Sequence, residues 1–148
     1  MASAIGISGL ILFMSFSMES SEIKWNNNFE SSKALAKAEK KMILMSFQGS
    51  DWCANCMRLE KELFESEQFA SFSAKYLVLL KLDFPMRKKN LLPKEQAKHN
   101  EALAERYNPK GEFPKVILMD SEGKVLGNLK HPLTSAEAYI TNIKSVVK

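Results

Sequence analysis

The sequence predicts an α/β domain in which a central mixed sheet of about four strands is flanked by helices on both faces. Three observations carry this expectation. Two apolar runs, residues 42–47 and 76–83, are short and nearly uninterrupted, as central strands covered on both sides are. Segments of helical period follow each of them, at 53–65 and 93–107. Two further runs, 115–119 and 124–129, are joined by Asp120-Ser121-Glu122-Gly123, which reads as a hairpin turn.

In chain order, residues 23–25 form a candidate edge strand. The helix expected at 29–41 sets Leu35, Ala36 and Ala38 among Glu and Lys, with Ser31 and Ser32 near its start. Residues 48–51 end the first central strand. From Cys53 to about Glu65 the spacing of Cys56, Met57, Leu59, Leu63 and Phe64 is helical, and a second turn of helix carries Phe69 and Phe72. The strand at 76–83 leads into a polar, basic stretch at 84–92. The helix at 93–107 has Pro93 in its first turn, where a missing N–H costs nothing. After a loop at 108–113 come the two hairpin strands. A closing helix at 132–147 gathers Ala138, Ile140, Ile143 and Val147 on one apolar face. No internal repeat, low-complexity tract or linker divides the chain.

Composition narrows the function classes. The 148 residues are 45% hydrophobic and 26% charged, an ordinary balance for one globular domain that needs neither a disulfide framework nor a structural metal to fold. The 21 Lys and Arg against 17 Asp and Glu give +4, well short of the dense basic surface of a nucleic-acid binder. Arg87, Lys88, Lys89, Lys94 and Lys98 gather positive charge in and just after the 84–92 stretch. Such a cluster is usually a solvated face, with docking of an acidic partner or an anionic lipid as the functional alternative.

Residues 2–18 carry no charge, and their apolar run is too short and too broken by Ser and Gly for a membrane span. With small residues flanking Phe16 in Ser15-Phe16-Ser17, residues 1–18 read as a secretory signal preceding a domain at 19–148, although no Lys or Arg precedes the run. An uncleaved membrane tether and a cytoplasmic protein starting at Met18 are the competing readings. No Cys stands near the end of the run, which excludes a lipid-modified cysteine anchor.

The chemistry lies in the two cysteines, Cys53 and Cys56, at a strand-to-helix junction. Two intervening residues in a first helical turn bring the sulfurs within bonding distance, and the free N–H groups of the helix start stabilise a thiolate on the first. Cys53 is then the exposed nucleophile and Cys56, one turn deeper, the resolving thiol. A zinc site would need four ligands, and His99 and His131, the two histidines, lack the spacing of a ligand pair. A purely structural disulfide would close a tiny loop and add little stability. Met57 invites a copper reading, because thioether and thiolate are both soft ligands, but at helical spacing such a residue is more often core.

The Trp52-Cys53-x-x-Cys56 motif between a buried strand and a helix, followed by Phe113-Pro114-Lys115 opening a hairpin and a last helix, resembles the thioredoxin superfamily. The lead-in Gly49-Ser50-Asp51-Trp52-Cys53 is similar to that of exported thioredoxin-like thiol-disulfide proteins, and the likeness runs over about residues 23–147. It implies a thioredoxin-like fold and thiol-disulfide exchange on protein substrates, with the Cys53–Cys56 disulfide in place of any cofactor. It also implies an upstream electron donor or acceptor, no nucleic-acid partner, a monomer, and a place in the periplasm or cell envelope of a bacterium. Trp52 would pack beside the active-site turn and shield it. Pro114 would be cis and face the disulfide, and the backbone of Phe113 would pair with an extended substrate segment. A Pro at the start of a strand also fits a plain trans strand opener, and Trp52 a core aromatic.

The sequence departs from the thioredoxin pattern in two places. The buried Asp on the strand before the motif is replaced by Ser46, or by Phe47 with a one-residue gap. Lys81 matches the Lys that neighbours that Asp, although a strand-edge charge in solvent is the commoner fate. Asp51 and Glu60 are alternative proton acceptors, each more often a solvated carboxylate. Between the cysteines stand Ala54-Asn55, neither the Gly-Pro of reducing thioredoxins nor the Pro-His of strong oxidants. With no cation there, the Cys53 thiolate gains less stabilisation, which argues for a reducing couple over an oxidising one. The rival classes are a soft-metal carrier using Cys53, Cys56 and Met57, and a non-catalytic interaction domain with an inert disulfide.

Overall fold

The computed structural model describes residues 22–129 and 135–147, so the expected leader, His131 and Pro132 lie outside the described residues. The two apolar runs become neighbouring strands at the centre of one sheet. In chain order the elements are β1 (Trp25–Asn26), α1 (Phe29–Glu39), β2 (Met42–Gln48), α2 (Ala54–Leu59) continuing into a π-helical turn (Glu60–Phe64), and α3 (Glu67–Tyr76). Beyond α3 lie β3 (Leu77–Asp83), a 3-10 turn (Lys88–Asn90), α4 (Lys94–Tyr107), β4 (Lys115–Met119), β5 (Val125–Leu129) and α5 (Ala136–Val146).

The sheet order is β1-β3-β2-β4-β5. β1, β3 and β2 run parallel, β4 runs antiparallel to β2, and β5 returns antiparallel to β4. The mixed sheet is therefore as expected, with the candidate edge strand making a fifth. That strand is two residues long, pairing Trp25 and Asn26 with Leu79 and Leu80.

Side chains of successive strand residues leave the sheet on opposite faces, so β2 and β3 feed two cores. Ile43, Met45, Phe47, Val78, Leu80 and Leu82 pack under α1 and α4 with Phe29, Ala36 and Leu103. Leu44, Leu77 and Leu79 face the other way and pack with Leu59, Leu63, Phe64, Phe69, Tyr139 and Ile143 from the α2, α3 and α5 layer.

Element boundaries follow caps more than hydrophobicity. Asn28 accepts the Ser31 N–H at 2.9 Å to start α1, and Lys40, in the left-handed region at φ 55, ends it. The helix expected at 53–65 stops where Ser66 caps a new one, accepting the Phe69 N–H at 3.2 Å. This new helix is ten residues long, not a single turn, and it includes Tyr76, expected in the next strand. Tyr76 is a good strand former, but its ring packs 5.0 Å from that of Phe72 one turn earlier on the helix surface. Pro93 is the residue before α4 and not part of its first turn. Asp120 Oδ1 accepts the N–H groups of Glu122 and Lys124, so β5 begins one residue later than expected, at Val125. Gly123, at φ 85, lets that turn close against Phe29, whose ring a side chain would strike.

Candidate active site

The C-terminal ends of β2 and β3 carry the site. From Gln48 the chain turns through residues 49–52 and enters α2 with Cys53 as its cap: Cys53 Sγ accepts the Cys56 N–H at 3.2 Å. Gly49 fastens the turn from the other side. Its carbonyl accepts the Cys53 N–H at 2.9 Å, and its own N–H points at Cys56 Sγ at 3.5 Å. The two cysteines form a disulfide with their Cα atoms 5.2 Å apart. Cys53 is 7% exposed and Cys56 1%, so the first cysteine is the more accessible of the two, but it is a buried residue and not the freely exposed nucleophile its position suggests.

The turn is clamped to the segment that leaves β3. The Asp83 carboxylate accepts the Ser50 N–H at 2.9 Å and the Ser50 hydroxyl at 2.6 Å. The Trp52 indole N–H donates to the Phe84 carbonyl at 2.7 Å. Asp51 spends its whole carboxylate on the same segment. Oδ1 accepts the Met86 N–H at 2.9 Å, and Oδ2 accepts the Arg87 N–H at 3.0 Å and the Asn90 amide at 2.9 Å. These donors, the Met86 N–H foremost, hold the Asp51 carboxyl below the ordinary carboxylate range. Trp52 lies over Gly49, where any Cβ would collide with the indole. Its ring meets Phe113 edge-on at 5.2 Å, and Phe84 meets Phe113 at 5.4 Å. The Phe113–Pro114 peptide bond is cis. Pro114, Asn128 and Leu129 border a groove of about 560 Å³.

Beneath the disulfide the strands turn polar. Ser46 and Gln48 alternate onto the α2 face, and Ser46 is paired in register with Lys81. Phe47 points into the opposite core, so Ser46 occupies the position that faces the site. Lys81 donates to both carboxylate oxygens of Glu60, at 2.8 and 2.9 Å, with both side chains half-buried. Its ammonium also lies 4.5 Å from the centre of the Trp25 ring. β3 is an interior strand of the sheet, so Lys81 is not the solvated edge charge it resembles in sequence. Gln48, Cys56, Met57, Glu60 and Lys81 line one pocket of about 340 Å³, with Met57 exposed there and not in the core, and Gln48 Nε2 donates to the buried Ser46 Oγ at 3.0 Å.

Of the residues singled out in sequence, Trp52, Asp51 and Phe113 therefore gather around the turn, and Lys81 with Glu60 sits below Cys56. Pro114 borders the adjoining groove. Asp83, Gln48 and the Phe84 carbonyl were not foreseen. The available signal was register: Asp83 lies opposite Gln48 where both strands end. His99 takes no part. Its Nε2 accepts the Phe29 N–H at 3.1 Å, tying α4 to the start of α1. Among the described residues no group of three or more His, Cys, Asp or Glu is placed to hold a metal ion.

Known proteins resemble this chain in sequence and fold. Residues 24–121 match the family model described as thioredoxin-like. The chain is 34% identical over 113 residues to the disulfide bond reductase DsbH of Chlamydia pneumoniae, covering 76% of this chain and 66% of that relative, just under two thirds of its length. A solved structure titled DsbH oxidoreductase superposes with a TM-score of 0.80 at 28% identity, over 95% of this chain and 94% of that one. The disulphide isomerase of Xylella fastidiosa Temecula1 shares the fold at a TM-score of 0.59 and 20% identity, over 80% of this chain and 88% of that one.

Proposed function

This chain belongs to the thioredoxin-like family, and on that premise we propose that it is a protein-disulfide oxidoreductase working in the reducing direction through the Cys53–Cys56 couple. The observation that carries the reading is the Cys53 sulfur, bonded to Cys56 and accepting a helix-start N–H at 3.2 Å, in the turn directly after Trp52. A relative named a disulfide bond reductase supports the direction, as does the absence of a cation between the cysteines.

In the reduced protein the Cys53 thiolate attacks one sulfur of a client disulfide. The client S–S bond breaks, its other sulfur leaves as a thiolate that takes a proton from solvent, and a mixed disulfide forms. Cys56 then loses its proton and attacks Cys53 Sγ, releasing the second client thiolate and closing the disulfide. Two electrons pass to the client, and an upstream dithiol donor restores the pair. Glu60, held by Lys81 in the pocket that reaches Cys56, accepts the Cys56 proton. Asp51 is unsuited to that role because its carboxylate is turned to Met86, Arg87 and Asn90 and does not line the Cys56 pocket. Trp52 shields the couple, and Phe113 and Pro114 receive the client's extended backbone. We place the protein, as a monomer, outside the cytosol, in a bacterial periplasm or envelope, with residues 1–18 as leader and 19–148 as the working domain.

The test is reduction of insulin disulfides with a dithiol donor. Cys53→Ser is expected to fall to the uncatalysed rate, and Cys56→Ser to accumulate a mixed disulfide with the client. Wild-type protein without turnover would refute the exchange reading. A couple near about −270 mV fits a reductase, and one near about −120 mV would reverse the direction.

A further inference from the structure

The segment that leaves β3 has a composition and a placement that the exchange chemistry does not use. Residues 84–94 contain four cations, Arg87, Lys88, Lys89 and Lys94, and no acid. No salt bridge among the described residues engages Lys88, Lys89 or Lys94. In the same stretch two large apolar side chains stand in solvent, Met86 at 71% and Leu91 at 59% exposure. A solvated linker with this content would be free to move. Here the Asp51 carboxylate ties down Met86, Arg87 and Asn90, and the Asn90 N–H donates to the Arg87 carbonyl at 2.9 Å. The anchor is two residues from Cys53. Trp52, itself 42% exposed and bonded to the Phe84 carbonyl, joins the segment to the residue next to Cys53.

We propose that residues 84–94 form a client-docking strap in which Met86, Leu91 and Trp52 receive an apolar side chain while Arg87, Lys88 and Lys89 select clients whose disulfide is flanked by acidic residues. The proposal rests on the exchange reading and adds its substrate class. Cations on a segment whose backbone is tied to the active-site turn raise the local concentration of acidic polypeptide and speed its arrival. Because the strap is held in place before binding, little of the contact energy is lost in ordering it. An acidic polypeptide fits better than an anionic membrane. The strap is bonded to Asp51, two residues from Cys53, so a bilayer seated on it would compete with the client for the active-site turn.

The experiment uses three synthetic peptides with the same intramolecular disulfide, flanked by Glu-Glu, Gln-Gln or Lys-Lys, and measures kcat/KM of the reduced full chain at low and high salt. At low salt the acidic peptide is expected to exceed the basic one by about tenfold, with the contrast collapsing in high salt. Lys88→Gln/Lys89→Gln is expected to flatten the ranking, and Lys88→Glu/Lys89→Glu to invert it. Equal rates for the three peptides, or a ranking unchanged in the charge-reversed variant, would overturn the strap and leave the exchange reading intact. No turnover of any peptide would fell both. Sedimentation with phosphatidylglycerol vesicles that depends on Lys88 and Lys89, without peptide discrimination, would overturn it in favour of a lipid surface.

Discussion

The two faces of the sheet start alike and end differently. Under α1 and α4 the strands stay apolar to their tips, with Phe47 and Leu82 as buried as Ile43 and Val78 nearer the strand starts. On the other face the same alternation begins with Leu44, Leu77 and Leu79, and then delivers Ser46 and its register partner Lys81, with Gln48 and Lys81 lining the pocket that reaches Cys56. Placing a Lys and a Gln at such depth costs free energy unless each finds a partner. Glu60 and Ser46 supply those partners. One face thus holds the fold, and the other gives up apolar packing at its tip for a polar pocket against the buried sulfur.

If that division is right, damage to the two faces separates into stability and chemistry. The largest effect on stability is expected from Leu80→Ala, at the middle of the apolar face and fully buried. Truncation there should cost about 2–5 kcal/mol, read as a lower denaturant midpoint, with the redox potential of the cysteine couple unchanged. A potential that moves with the midpoint would mean that the two faces are not separable.

On the polar face the order is reversed. Glu60→Gln breaks a half-buried ion pair whose loss is expected to change stability by about 1 kcal/mol or less. Turnover near neutral pH should nonetheless fall by roughly tenfold, because Cys56 loses the group that takes its proton. The rate should recover as pH rises past about 8.5, where a thiol ionises unaided. The pH profile distinguishes this from a merely structural role, which would lower the rate equally at every pH.

The contrast between the faces also marks how far the sequence could be read. β2, β3, the turn after β2 and the cysteine pair are local patterns, and each stands within one residue of where its residues suggested. The polar pocket was half-legible. Strand alternation alone puts Ser46, Gln48 and Lys81 on one face, but the partner of Lys81 lies on the far side of the disulfide, one helical turn past Cys56. Only the path of α2 across the strand tips brings Glu60 there. Reading α3 as a single turn failed for a different reason: Ser66 restarts the helix by a cap, which hydrophobic spacing does not register. Tyr76 shows propensity overruled by position, since a ring that suits a strand packs equally well one turn above Phe72.

Asp51 was the least legible residue, and it offers the most local test. Two of its donors are backbone N–H groups 35 and 36 residues downstream, so no side-chain type announces them. Removing the carboxylate with Asp51→Ala should release residues 86–90 from the active-site turn while Phe84 stays packed against the α1 and α4 core. The expected signature is exchange of the Met86 and Arg87 amide protons roughly tenfold faster, with Leu80 and Ile117 in the sheet unaffected. The sign with pH follows from the depressed pKa. The carboxylate is charged and bonded throughout the neutral range, and its contribution is complete above the ordinary carboxylate range. It is lost only as pH falls through the lower folded value. Wild type and Asp51→Ala should therefore converge on strong acidification, once intrinsic exchange is corrected for. Protection of Met86 and Arg87 that survives the substitution at neutral pH would show that the Asn90 turn and the Trp52–Phe84 bond suffice to hold the segment. The clamp would then belong to Trp52, and Trp52→Phe, which keeps the ring but loses the indole N–H, would be the variant that loosens it.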